Sequence, residues 1–214
     1  MGGRSWVIPA NEYRRERWRN GCGWTREIHA GGWHASGRHA GEMHAQTSTH
    51  SRDDWDWRLS IAEIERDAPF SAFPGIDREL VLLSGNGLRL RFDDGQVHEL
   101  QPPHDKLRFA GERAVTGELR EGPTQDFNLM WRRDAIDAQL WHRPLVGPMV
   151  VFAEPGSVWA IHLLAGQARF ADDSGLPDLA AADTALLQAD DTRLRHVLDG
   201  SGEALLIRLQ QRGP

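Results

Sequence analysis

Cysteine and lysine are almost missing from this chain, with Cys22 and Lys106 the single examples of each among 214 residues. One thiol rules out an intrachain disulfide and a cysteine-built zinc cluster, and a reducing cytoplasm is the expected compartment. The other 24 of the 25 basic residues are arginines interleaved with 31 acids, for a net charge of -6. No basic footprint for a nucleic acid emerges from that pattern. Long apolar runs are also lacking: nothing approaches the roughly 18 residues needed to span a bilayer, and MGGRSWVIPANEYRRERW has no apolar core of a secretion signal. A soluble protein with neither a membrane nor a nucleic-acid partner is expected. The nucleotide and hydrolase signatures (P-loop, G-x-G-x-x-G after a strand, G-x-S-x-G) are absent, and Cys22 has no activating histidine beside it in sequence.

Histidine, in contrast, is conspicuous. His29, His34, His39 and His44 recur every five residues, each followed by Ala, in HAGGWHASGRHAGEMHAQTSTH. A five-residue step turns a helix by roughly 500° and alternates faces on a strand, so no regular element gathers these side chains. With the Gly, Ser and Thr between them, they predict a His/Gly-rich surface loop insertion over residues 29–52, with no functional metal bound.

Elsewhere the period is two. In DWRLSIAEI, Trp57, Leu59 and Ile61 alternate with Arg58, Ser60 and Ala62, as in a half-buried strand. RELVLLSGNGLRLRFDDG predicts a strand, a hairpin turn at Ser84-Gly85-Asn86-Gly87, a returning strand and a turn at Asp93-Asp94-Gly95. It is echoed by WAIHLLAGQARFADDSG, where Leu163-Leu164-x-Gly166 matches Leu82-Leu83-x-Gly85, which suggests a duplicated β-unit. Only LAAADTALLQADD tempts a helical reading, and Asp183 and Thr184 interrupt it. The second copy resembles the cupin barrel pattern, but neither half has the His-x-His pair and following Glu of a metal-binding cupin. His162 and His196 are left unaccompanied, so no metal and no cofactor are expected.

Three stretches hold more chemistry than a strand or loop needs. In WRNGCGWTREI, Gly21 and Gly23 permit a close backbone approach beside Asn20, Thr25, Arg26 and Glu27; a ligand cradle and a tight β-bend over buried Trp18 and Trp24 both fit. In FSAFPGIDRE, Phe70 and Phe73 flank a Pro74-Gly75 turn ahead of Asp77, Arg78 and Glu79. The planar fork of Arg78 suits a carboxylate clamp, or it pairs with Asp77 or Glu63. In GPTQDFNLMWRR, Asp126, Asn128 and Met130 share one strand face and Phe127, Leu129 and Trp131 the other, which places polar groups in a barrel interior, in a cleft between barrels, or on an exposed edge.

These stretches, joined by WRLSIAEIERDAPFSAFPGIDRELVLLSGNGL, resemble the HutD/Ves family from about Trp18 to the C-terminus. Gly21-Cys22-Gly23 departs from the family's Gly-Gly-Gly, and the His-Ala repeat lies where the family has no such pattern. The resemblance implies an all-β chain of two cupins in a single unit over residues 1–214, with halves at 1–120 and 121–214. It also implies a non-catalytic accessory or regulatory factor in histidine utilisation that binds a small carboxylic acid such as N-formylglutamate or urocanate. The ligand-binding set expected on this reading is Asn20, Thr25, Arg26, Arg58, Phe70, Phe73, Asp77, Arg78, Asp126 and Asn128, with no catalytic residue. The alternative is a metal-independent cupin enzyme, an isomerase or hydrolase using Glu63, Asp77 or His196. A homodimer is left open.

Overall fold

The computed structural model describes residues 4–33 and 55–213. His34, His39, His44 and His50 of the repeat lie outside them. Among the described residues the chain is mainly β, and its helical segments are three-residue 3-10 turns such as Ala10–Glu12. Among the described residues no helix is long and apolar enough to cross a membrane.

Antiparallel pairs build three sheets. The central one contains β2 (Arg14–Arg17), β3 (Gly23–Gly31), β4 (Trp57–Ile64), β6 (Ile76–Ser84), β9 (Lys106–Ala110) and β11 (Thr124–Arg132), in the order β2-β3-β4-β11-β6-β9. A small sheet, ordered β5-β10-β7-β8, is formed by β5 (Ala68–Pro69), β7 (Leu88–Phe92), β8 (Val97–Leu100) and β10 (Val115–Leu119). The C-terminal sheet holds β12 (Ile136–Ala153), β13 (Ser157–Phe170), β14 (Leu179–Ala180), β15 (Thr184–Gln188) and β16 (Leu194–Gln211), and the N-terminal strand β1 (Trp6–Ile8) is added to its edge through β15.

Strand alternation explains how one sheet serves two cores. One face of the central sheet sends Ala62, Ile64, Leu80 and Leu82 against Leu88, Leu90, Phe92 and Val115 of the small sheet. The opposite face sends Leu59, Ile61, Val81, Phe127, Leu129 and Trp131 against Ile136, Leu140, Val158, Leu205 and Ile207 of the C-terminal sheet. A third core, with Leu145, Ile161, Leu163, Leu187, Leu198 and Leu206 among its members, is enclosed by the C-terminal sheet alone. Each fully buried Leu, Ile or Phe in these layers contributes about 1.5–3 kcal/mol.

The structure corrects several expectations. The Ser84–Gly87 turn is not a hairpin: β6 pairs with β11 and β9, whereas β7 pairs with β8 and β10. Gly85 and Gly87, at φ of 104° and 135°, carry the chain from one sheet to the other. The turn at Asp93-Asp94-Gly95 does close a hairpin, with Arg91 opposite Val97. In the second copy Leu163-Leu164-x-Gly166 makes no turn, because β13 runs through it with a register shift between Leu163 and Ala165. At Gly166 φ is 88° and a Cβ would collide with the Ser201 carbonyl. LAAADTALLQADD, where Asp183 and Thr184 interrupt the helical pattern, forms β14 and β15. Strand pairing also crosses the expected boundary at residue 120: β11 lies beyond it yet pairs with β4 and β6, and β1 joins the C-terminal sheet. Finally, the expected insertion starts too early at residue 29, since His29 is in β3 with its ring 5.5 Å from Trp6 and 5.3 Å from Trp57.

Candidate functional site

Three rows of side chains cross β4, β11 and β6 on the face turned toward the small sheet. Arg58, Met130 and Arg78 are in register, then Ser60, Asn128 and Leu80, then Ala62, Asp126 and Leu82. Directly opposite partners have Cβ atoms roughly 5 Å apart. The alternation in QDFNLMW therefore places Asp126 and Asn128 in the interior, on a central strand rather than an edge.

Arg78 dominates this surface. It is 5% exposed, and its guanidinium carbon lies 5.3, 5.6 and 5.2 Å from the ring centres of Phe70, Phe73 and Phe109. The quadrupoles of those rings offset part of the cost of burying a cation. No carboxylate does: among the described residues its guanidinium makes no ion pair, and its buried Nε has no hydrogen-bond partner. Desolvation and the nearby charge of Arg58 pull its pKa down to about 10, which leaves it cationic at neutral pH. An isolated buried charge is among the costliest groups a fold carries. Arg58 itself is different, because its Nε donates to Glu27 Oε2 at 2.7 Å.

Two acceptors lie on the same face. Asn128 Oδ1 and Asp126 Oδ1 are both buried without partners. Asp126 Oδ2 accepts a 2.8 Å hydrogen bond from Thr124 Oγ1, but burial outweighs it and pushes the carboxyl up to about 7. A carboxyl poised there offers either a donor or an acceptor near neutral pH. Gly117 makes room for the cage, since a Cβ at that position would lie 2.9 Å from Cε1 of Phe70.

Of the ten expected residues, Phe70 and Phe73 ring Arg78, and Arg58, Asn128 and Asp126 share its sheet face, with Asp126 two rows along the strands from it. Thr25 lines the same face but accepts a 2.9 Å bond from the indole of Trp18, which packs on this core. Three do not belong. Asn20 is exposed and its Oδ1 caps the Cys22 amide at 3.0 Å, in the tight bend between β2 and β3 with which WRNGCGWTREI begins. Arg26 is in register with Ile61 on the opposite face and meets Glu63 Oε1 at 2.8 Å. Asp77 also faces away, to Arg108 at 2.8 Å and Arg133 at 3.0 Å, because neighbours on a strand point to opposite sides. For the same reason Arg78 pairs with neither Asp77 nor Glu63. Glu63 already holds Arg15 as well as Arg26. Sequence reasoning missed Phe109, whose place in the cage follows only from its pairing with Arg78 across β6 and β9.

The histidines singled out in sequence have separate surroundings. His162 is buried between the sheets, 2.9 Å from Thr184 Oγ1 and 5.2 Å from the ring of Phe127, and desolvation drives its pKa down to about 3. His196 contacts Ser5 Oγ at 3.4 Å. An open cleft of about 440 Å³ lies at Arg15, Glu63, Ser84, Pro123 and Gln125, and neither Arg78 nor Asn128 lines it. The chemistry of the interior thus rests on its unpaired polar atoms and not on that cleft.

The model of the HutD family matches residues 10–206. An uncharacterised 21.2 kDa protein from the hutC 3' region of Pseudomonas putida is 37% identical over 63% of this chain and 62% of its own length. The Ves protein of Citrobacter koseri is 35% identical over 58% of this chain and 56% of its own. These matches thus span about three fifths of the curated relatives. A solved structure of HutD from Pseudomonas fluorescens SBW25, in a formate condition, is similar over 98% of this chain and 100% of its own at 27% identity and a TM-score of 0.76. A cupin 2 conserved barrel domain protein from Leptotrichia buccalis, 10% identical, shares the fold over 73% of this chain and 84% of its own at a TM-score of 0.50. The match across residues 10–206 leaves one conclusion: the chain belongs to the HutD family.

Proposed function

We propose that the chain binds a small carboxylic acid without turning it over, as an accessory or regulatory factor in histidine utilisation. The observation that carries this reading is Arg78, a buried cation with no counter-ion, held by three aromatic rings in a row with Arg58 and Met130. A carboxylate supplies the missing charge and matches the guanidinium fork. Asn128 Oδ1 then accepts from an N–H of the same ligand, and Asp126 serves a second polar group. N-formylglutamate, with an amide N–H beside two carboxylates, and urocanate, with an imidazole N–H beside one, both have that chemistry. The fold is read in the same way as two cupin units in one chain, supported by the two interior cores and the cupin neighbour.

The test is a thermal-shift and calorimetric series on chelator-treated protein with N-formylglutamate, urocanate, histidine and glutamate. At 100 times its dissociation constant a specific acid adds about 2.7 kcal/mol, or a rise of roughly 5–10 °C for a chain of this size. One acid alone giving that rise supports the reading, and no rise with any of them overturns it. The second reading, a metal-independent enzyme acting on a small acid, is favoured by one observation. Asp126 titrates near neutrality inside the site, as a general acid or base does. Chemical analysis of the acid after prolonged incubation separates the two, because a binder returns it unchanged.

A further inference from the structure

We propose that His104, His142 and Glu203 form a binding site for a divalent transition-metal ion, with zinc the best match to the donors. The site is separate from the Arg78 interior and lies where the first sheets meet the C-terminal sheet. His104 is in the loop between β8 and β9, His142 is on β12 and Glu203 is on β16. Their donor atoms all lie within 4.8 Å of one another. Glu203 Oε2 is 3.4 Å from His104 Nε2 and 2.9 Å from His142 Nε2. In a tetrahedral site with bonds of about 2.0–2.2 Å, ligand atoms stand roughly 3.3–3.6 Å apart, so small side-chain shifts close the trio on an ion.

The orientation of His104 strengthens the case. Its Nδ1 is 3.3 Å from the Leu82 carbonyl. A carbonyl only accepts, so Nδ1 carries a proton and Nε2 is the ring nitrogen that faces Glu203. A backbone carbonyl that fixes the ring in this way is the usual outer partner of a metal-bound imidazole. Two imidazole nitrogens and one carboxylate oxygen therefore converge, and lone pairs at that spacing need a proton or a cation among them. The set suits zinc, nickel or cobalt better than magnesium or calcium, which prefer all-oxygen shells. Glu203 and His142, with side chains 47% and 35% exposed, leave an entry path and a coordination position for water. Because the ligands come from the loop after β8 and from two strands of the C-terminal sheet, a bound ion would clamp the sheets together. Beside it Lys106 Nζ already bridges Glu79, at 2.7 Å, and the Leu140 carbonyl, at 2.6 Å.

The experiment is zinc titration by calorimetry on full-length, chelator-treated protein, with His34, His39, His44 and His50 all replaced by Ala to remove a competing source of imidazole. On that background we expect one zinc per chain and a rise in Tm of roughly 5–10 °C at 100 times the dissociation constant. Adding Glu203→Gln or His142→Ala should abolish both while leaving the metal-free Tm within about 2 °C. If a variant fails that folding check, cobalt(II) visible absorption of the background protein decides, with tetrahedral bands expected. No zinc bound on the background, equal zinc bound after either ligand change, or cobalt spectra showing an all-water shell would overturn the site.

Discussion

The core between the central and small sheets and the core within the C-terminal sheet differ in what they leave unpaired. Inside the C-terminal sheet, Leu145, Ile161, Leu163, Leu187, Leu198 and Leu206 pack against one another, and their side chains have no hydrogen-bonding demands. Between the central and small sheets, a comparable aliphatic core built on Leu80, Leu82, Leu88 and Leu90 is flanked by Arg78, Asn128 and Asp126. Apolar packing stabilises both. Of the two, among the described residues, only the core between the central and small sheets holds unpaired polar atoms, and these cost free energy. The difference teaches where to look: two cores of similar construction, and one that is left electrostatically unfinished.

Forcing the second core to resemble the first should have the largest effect. Leu163 is fully buried in the C-terminal core, and Leu163→Arg would place a cation there with neither an aromatic cage nor a ligand. The expected loss exceeds about 5 kcal/mol, enough to abolish the cooperative transition in circular dichroism melts. Next comes the pH dependence of the first core. The folded pKa of Asp126, about 7, stands above the unfolded value of 3.8, so the folded state holds the extra proton. Its contribution is fully present below pH 4 and is lost as pH rises through 7, on the order of 2–4 kcal/mol. Asp126→Asn should flatten that part of the Tm against pH curve, and an unchanged slope would show that the carboxyl titrates normally. Arg78→Met should make the first core resemble the second. We expect Tm to be unchanged or raised by several °C, because the uncompensated charge is gone, while acid binding is lost. The mildest change is Gly117→Ala, which pushes Phe70 from the Arg78 cage. A loss of about 1–3 kcal/mol and a several-fold weaker affinity are expected from melts and calorimetry.

How far the sequence foretells this arrangement depends on the distance over which each signal acts. Period-two alternation is local, so the opposite faces of Asp126-Asn128-Met130 and Phe127-Leu129-Trp131 were legible from nine residues. The same rule, applied strictly, would have placed Asp77 opposite Arg78, yet proximity in sequence suggested a cluster. Turn chemistry is local too, and it marks where the chain reverses but not which strand it then joins. Thus Gly85 and Gly87 read as a hairpin although they lead to another sheet, and Gly166, in a sequence much like the first, merely bends β13. Arg26 follows the same period-two rule, since Thr25 beside it on β3 takes the interior face with Ala62 and Arg26 the opposite one with Ile61. Long-range convergence was out of reach. Nothing near Phe109 announces that β9 lies against Arg78, and His104, His142 and Glu203 are separated by 38 and 61 positions.

The central claim is that Arg78 holds a carboxylate through two parallel hydrogen bonds. Its most direct test is calorimetric titration of the acid selected in the thermal-shift series into the wild type and Arg78→Lys, at matched pH and low salt. Lysine keeps the charge but loses the fork, so the account predicts affinity at least tenfold weaker, about 1.4 kcal/mol, in a protein that still folds. Equal affinity in the two proteins would contradict it.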